Sequence, residues 1–239
     1  MPESLAYRAY WLLWHSLDWI YPPSCAGCGK TGSVWCVSCA EEVTQLIKNI
    51  CPMCGIMQRS EILCTECRQA TSYYQALRSW GRYTGKLRQA IHQLKYKHNV
   101  SLGQALAVPM IQRLTELNWP VDVITPVPLG LARLAERGYN QASLLARPIA
   151  LYFRIMYAPG ILWRQRETIS QVGLALASRK ENVAGAFSAD RKLVRGKTVL
   201  VIDDVITSGS TMNACAMALV EAGAEAVYGF SLARAGNDN

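Results

Sequence analysis

Two adjacent acids, Asp203 and Asp204, are followed by the string Thr207-Ser208-Gly209-Ser210-Thr211. Ionised carboxylates only accept hydrogen bonds, so two in a row suit the 2′- and 3′-hydroxyls of a ribose and the waters of a hydrated magnesium ion. The hydroxyls that follow suit a dianionic phosphate at the start of a helix, and Gly209 lets the backbone approach it. Ser210 or Thr211 acting as a plain helix cap would use the same residue types. Acids and hydroxyl loop together point to a sugar phosphate.

A second chemistry is written in the cysteines. Eight of the nine fall into C-x-x-C pairs: Cys25/Cys28, Cys36/Cys39, Cys51/Cys54 and Cys64/Cys67. Eight thiolates make two tetrahedral four-sulfur sites, the coordination zinc prefers. Sequential pairing (25/28/36/39 and 51/54/64/67) is the simplest, and an interleaved pairing satisfies the same count. The segment has few large apolar residues, so two zinc ions would supply its folding energy, on the order of 10–16 kcal/mol each. No histidine accompanies the pairs, which makes the ions structural. Cys215 stands alone in an apolar stretch and reads as a core residue.

The charge is uneven. The chain carries a net +8, and residues 71–100 hold six Lys/Arg and no acid. Those six, Arg78, Arg82, Lys86, Arg88, Lys95 and Lys97, are interleaved with Trp80, Tyr83 and Tyr96. Such a tract can follow a single-stranded nucleic-acid backbone while the rings stack on bases. The competing reading is a basic helix face in water with its aromatics packed inward.

The elements that must position these groups follow from periodicity. Val199–Ile202 predicts a central strand that presents Asp203 and Asp204 at its carboxyl end, where open α/β sheets bind ligands. Thr211–Ala222 predicts a helix stopped by Gly223, and Ala226–Leu232 a last strand. Upstream, Ala76–Tyr83, Val121–Val127 and Ile161–Trp163 read as strands. Lys86–Lys97, Leu102–Leu117 and Gln141–Tyr157 read as helices, the last interrupted only by Pro148. This alternation predicts an α/β fold with a parallel sheet covered on both faces. Three units result: an amphipathic, Trp-rich helix at 1–20, a Cys-rich double ribbon at 21–70 and the α/β domain at 71–239. The first helix is too short to span a bilayer and is interrupted by charge. With no secretory signal and paired cysteines, the expected setting is a reducing cytoplasm.

The acid-hydroxyl string closely resembles the phosphoribosyl pyrophosphate motif of type I phosphoribosyltransferases: two acids, two variable residues, then Thr-Thr-Gly-x-Thr. Ser208 replaces the second Thr and keeps its hydroxyl. That resemblance implies further site residues. The loop Pro128-Leu129-Gly130, with Arg133 and Arg137 beyond it, occupies the place of the pyrophosphate loop. Arg164, Arg166 and Gln171 occupy the place of the mobile flap. Over nearly its full length the chain also resembles the ComF competence-protein family. The ribbons, Leu94-Lys-Tyr-Lys97, Pro126-Val-Pro-Leu129, Arg137-Gly-Tyr-Asn-Gln141, Arg179-Lys-Glu-Asn-Val183, Gly185-Ala-Phe187 and the acid motif carry that likeness. It implies a role in DNA uptake during natural transformation and handling of incoming single-stranded DNA. Three activities fit: a phosphoribosyltransferase, a non-catalytic phosphoribosyl or single-stranded-DNA module, and a partner of a DNA-uptake helicase.

Overall fold

The computed structural model describes residues 22–165 and 185–236. Its centre is β6 (Thr198–Ile206), whose run Val199–Ile202 is buried on both faces, as a middle strand of a parallel sheet requires. β7 (Ala226–Arg234) and β2 (Val123–Pro126) flank it. β1 (Ala76–Arg82) lies outside β7 and β3 (Met156–Tyr157) outside β2, giving the all-parallel order β1-β7-β6-β2-β3.

Side chains alternate across this sheet with the strand period of two. Val199, Val201 and Val227 meet Met212, Cys215 and Leu219 of α8 (Ser210–Glu221) on one face. Leu200, Ile202, Phe230 and Leu232 face the helices α3 (Gly85–Tyr96), α4 (Ser101–Leu117) and α6 (Gln141–Phe153) on the other. Cys215 is fully buried there, as its apolar setting predicts. Short elements complete the frame: α1 (Val37–Glu41) and α2 (Thr65–Gln69) in the Cys-rich segment, and α5 (Leu131–Arg137) after β2. A two-stranded antiparallel ladder of β4 (Leu162–Arg164) and β5 (Phe187–Ala189) is followed by α7 (Arg191–Val194).

The outer edge of β1 is not open. Leu77 N donates to Met53 O (2.8 Å), Leu46 N to Trp80 O (3.0 Å) and Arg82 N to Thr44 O (2.9 Å), so Cys-rich residues pair along it. Gly55 shows how close the approach is: it has a φ of 71°, and a Cβ there would lie 2.4 Å from Leu77 O.

Three expectations are corrected. β6 does not stop at Ile202: its pairing with β7 continues to Ile206↔Arg234, so the two acids lie within the strand. The helix predicted to reach Tyr157 runs through Pro148 and ends at Phe153. Arg154, in the left-handed region (φ 57°), stops it, and Met156–Tyr157 then pair with β2. Trp80, read among residues that stack on bases, is 4% exposed in the core because β1 turns it inward. The helix predicted at 1–20 lies outside the described residues. Among the described residues no helix is long and apolar enough to cross a membrane.

Candidate functional site

The carboxyl ends of β2 and β6 lie side by side. Pro126 is in register with Ile202, and Val127 N donates to Ile202 O (2.8 Å). The loop Val127–Gly130 therefore leaves the sheet next to Asp203. After β6, Thr207 and Ser208 are exposed and Gly209 turns the chain at a φ of 82°, a conformation open to glycine. Gly209 is the N-cap residue of α8, and no side chain caps that helix. The capping role considered for Ser210 or Thr211 is thus not filled. Ser208 and Ser210 instead share a hydroxyl contact of 2.9 Å, and Ser210 N donates to Ser208 Oγ (3.4 Å). A helix start with two hydroxyls and no cap is a place for an anion.

Asp203 and Asp204 bind their own strand as well: Asp204 N donates to Asp203 Oδ1 and Val205 N to Asp204 Oδ1, both at 2.8 Å. Burial, then the charge of Asp204, push Asp203 up to about 8, against the pull of Lys95. A carboxyl in that condition gains from a cation or a hydroxyl donor beside it. Lys95 Nζ meets Asp204 Oδ2 at 2.9 Å. Burial opposes the Lys95 ammonium, but Asp204 outweighs it and the pKa of Lys95 rises. Lys95 was grouped by sequence with the nucleic-acid tract, yet the fold gives it to the acids.

The loop side of the site is tied together by Arg137–Gln141. The Tyr139 hydroxyl donates to Leu94 O (2.6 Å), and Asn140 Nδ2 to Val127 O (2.9 Å). Asn140 Oδ1 accepts from Ala142 N (3.0 Å) and so caps α6. The Arg137 guanidinium lies 4.9 Å from the Tyr96 ring centre, and the residue as a whole is 9% exposed. Pro128 and Leu129 line the loop, Gly130 is the N-cap residue of α5, and Arg133 is exposed on that helix. Of the expected flap residues, Arg164 sits on β4 with its guanidinium 5.2 Å from the Phe187 ring. Arg166, Gln171 and the string Arg179–Val183 lie outside the described residues. A buried arginine that sequence reasoning missed, Arg234, ends β7 opposite Ile206. Nothing in its local sequence separates it from a strand-end cation.

The remaining cations of the basic tract disperse. The Arg78 guanidinium donates to Leu77 O (2.9 Å), Pro52 O (2.8 Å) and Met53 O (3.5 Å), binding the second ribbon to β1. Arg82 is half-buried at the end of β1, and Lys86 is half-buried on α3. Arg88 and Lys97, with His92, Gln89 and Gln93, line a groove of about 640 Å³ that reaches Ala26 of the first ribbon.

The eight paired cysteines form two separate quartets, 25/28/36/39 and 51/54/64/67, the sequential pairing. Within each, the sulfurs lie within 4.8 Å of one another; Cys25–Cys39 and Cys28–Cys36 in the first and Cys54–Cys64 in the second sit at 3.7 Å. A tetrahedron with zinc–sulfur bonds of about 2.3 Å has edges of about 3.8 Å, so the sulfurs fit the ion. The two ribbons repeat each other. Cys25 N and Cys51 N donate to Lys30 O and Ile56 O, both at 2.8 Å, while Cys36 N and Cys64 N donate to the sulfurs of Cys25 and Cys51, both at 3.4 Å. Burial works to raise both thiols, but these and neighbouring amides bring Cys25 down to about 6 and Cys51 to about 7. Amides aimed at sulfur favour the thiolate, the form that binds metal.

Comparison with known proteins matches both halves. The double zinc ribbon domain family matches residues 16–74, and the phosphoribosyl transferase domain family residues 104–236. The "DNA utilization protein YhgH" of Salmonella typhimurium is 35% identical over 206 residues, covering 83% of this chain and 89% of that protein. "Competence protein F" of Haemophilus influenzae is 30% identical over 222 residues, covering 84% and 96%. "Competence protein ComFC" of Bacillus subtilis is 26% identical over 209 residues, covering 83% of each. With both domain families matched and relatives at 30–35% identity covered over more than four fifths of each chain, the chain belongs to the ComF/YhgH competence-protein family.

Proposed function

We propose that this protein binds phosphoribosyl pyrophosphate with magnesium at Asp203–Thr211 and serves DNA utilisation, as the names of its relatives state for them. One observation carries the reading: two acids, an uncapped helix start with paired hydroxyls, and the 127–130 loop lie together at the carboxyl ends of β2 and β6. Asp203 and Asp204 hold the ribose hydroxyls and Thr207–Thr211 the 5′-phosphate. Pro128–Gly130, with Arg133 and Arg137, faces the diphosphate. The acids offer the hard oxygen donors that a water-retaining magnesium ion takes, and that ion supplies charge neutralisation for the diphosphate. Calorimetry with phosphoribosyl pyrophosphate and magnesium tests this. A charge-assisted hydrogen bond contributes about 1.5–3 kcal/mol, so Asp203→Asn with Asp204→Asn weakens binding at least about tenfold. An unchanged affinity sinks the assignment. Pyrophosphate release, assayed with free bases and with single-stranded DNA as acceptors, separates a transferase from a binding module.

The groove lined by Arg88, His92 and Lys97 favours a second role, contact with single-stranded DNA. Phosphate contacts release counterions, so that binding weakens steeply between 50 and 200 mM salt. Binding that ignores salt over this range removes the electrostatic groove.

A further inference from the structure

Among the cations of residues 71–100, Lys95 is the one set against the acids, with its side chain 19% exposed and that of Asp204 11% exposed. A buried ion pair is weak evidence for stability, because desolvation offsets the attraction. The surroundings supply another reason for it. Lys95 occupies the last turn of α3. Its neighbour Leu94 accepts from Tyr139, the next residue Asn140 holds Val127 O, and Val127 N holds Ile202 O, one residue before Asp203. On its other side Tyr96 lies under the Arg137 guanidinium. The end of α3 is thus bound into the corner where the acids meet the 127–130 loop. A ligand with one phosphate can satisfy the start of α8 without approaching that corner. A diphosphate on the ribose brings further negative charge beside the Asp204 carboxylate, and like charges repel unless a cation stands between them.

We propose that Lys95 is a specificity-determining residue: its ammonium, held at Asp204, lets the site accept a sugar phosphate that also carries a diphosphate. This rests on the reading of Asp203–Thr211 as a phosphoribosyl site. Calorimetry of the full-length, zinc-loaded protein with phosphoribosyl pyrophosphate and with ribose 5-phosphate, both with magnesium, tests it. Lys95→Gln keeps an N–H donor for Asp204 but removes the charge. It lowers affinity for phosphoribosyl pyrophosphate about tenfold or more, while ribose 5-phosphate affinity changes less than about threefold. Lys95→Arg restores the diphosphate preference to within about threefold of wild type. The readout is the ratio of the two affinities, which loss of folded protein does not imitate because it lowers both alike. An equal loss for both ligands, or no loss for either, overturns the role of Lys95. Wild-type protein that binds neither ligand overturns the reading of the site itself, and the inference falls with it.

Discussion

Asp203 carries a cost that its position makes useful. Its pKa rises from 3.8 to about 8, chiefly through burial and then through Asp204. Between those values the folded protein holds a proton that the unfolded chain has released, so stability falls as pH rises across the window. Asp203→Asn escapes this. Thermal unfolding in magnesium-free buffer therefore shows the variant gaining on wild type from pH 5 to pH 8.5, while it loses ligand affinity. A gap that stays constant with pH contradicts the burial of a titrating carboxyl there. The acids and the hydroxyl loop were legible from residue order alone, because their chemistry is local. Lys95 was not: its sequence neighbours Tyr96 and Lys97 are both exposed, and only the docking of α3 on β6 singles it out.

Among the elements, β1 and the second ribbon are joined by one side chain. Arg78 donates to the carbonyls of Pro52, Met53 and Leu77, and removing the guanidinium takes a donor from each, although Met53 O keeps Leu77 N. Arg78→Ala is expected to destabilise the protein by about 1–3 kcal/mol in thermal or urea unfolding, with zinc content still two per chain. Full stability in that variant would return Arg78 to the list of DNA contacts. The sequence placed Arg78 there because a basic strand residue beside a tryptophan looks alike in both roles. β6 read as ending at Ile202 because acids normally end a strand, and only the nine-residue partner β7 shows why these do not. The short elements α5, α7 and β5 lacked any periodicity long enough to read. The C-x-x-C spacing was legible at once, because metal geometry constrains sequence directly.

At the scale of the whole molecule, zinc supports more than the ribbons. Residues 44–46 and 53 run along the outer edge of β1, and their positions depend on the two sulfur quartets around them. Removing the metal forfeits folding energy on the order of 10–16 kcal/mol per site. It also uncovers a strand edge whose unpaired amides and carbonyls are a template for another chain. Treatment with a strong chelator is thus expected to give concentration-dependent association in size-exclusion chromatography, reversed by zinc only before aggregates form. A chelated protein that elutes as wild type does, with its melting temperature unchanged, would detach the ribbons from the sheet. The covered edge also bears on modularity. The two family matches end and begin at residues 74 and 104, as if two parts had been joined, yet β1 lies between them and needs both. A fragment cut after residue 70 would keep the acids and lose its hem. A ribbon grafted from another protein would serve only if it brought a carbonyl to Leu77 and a short strand to Gly81, so the halves of this chain are not interchangeable parts.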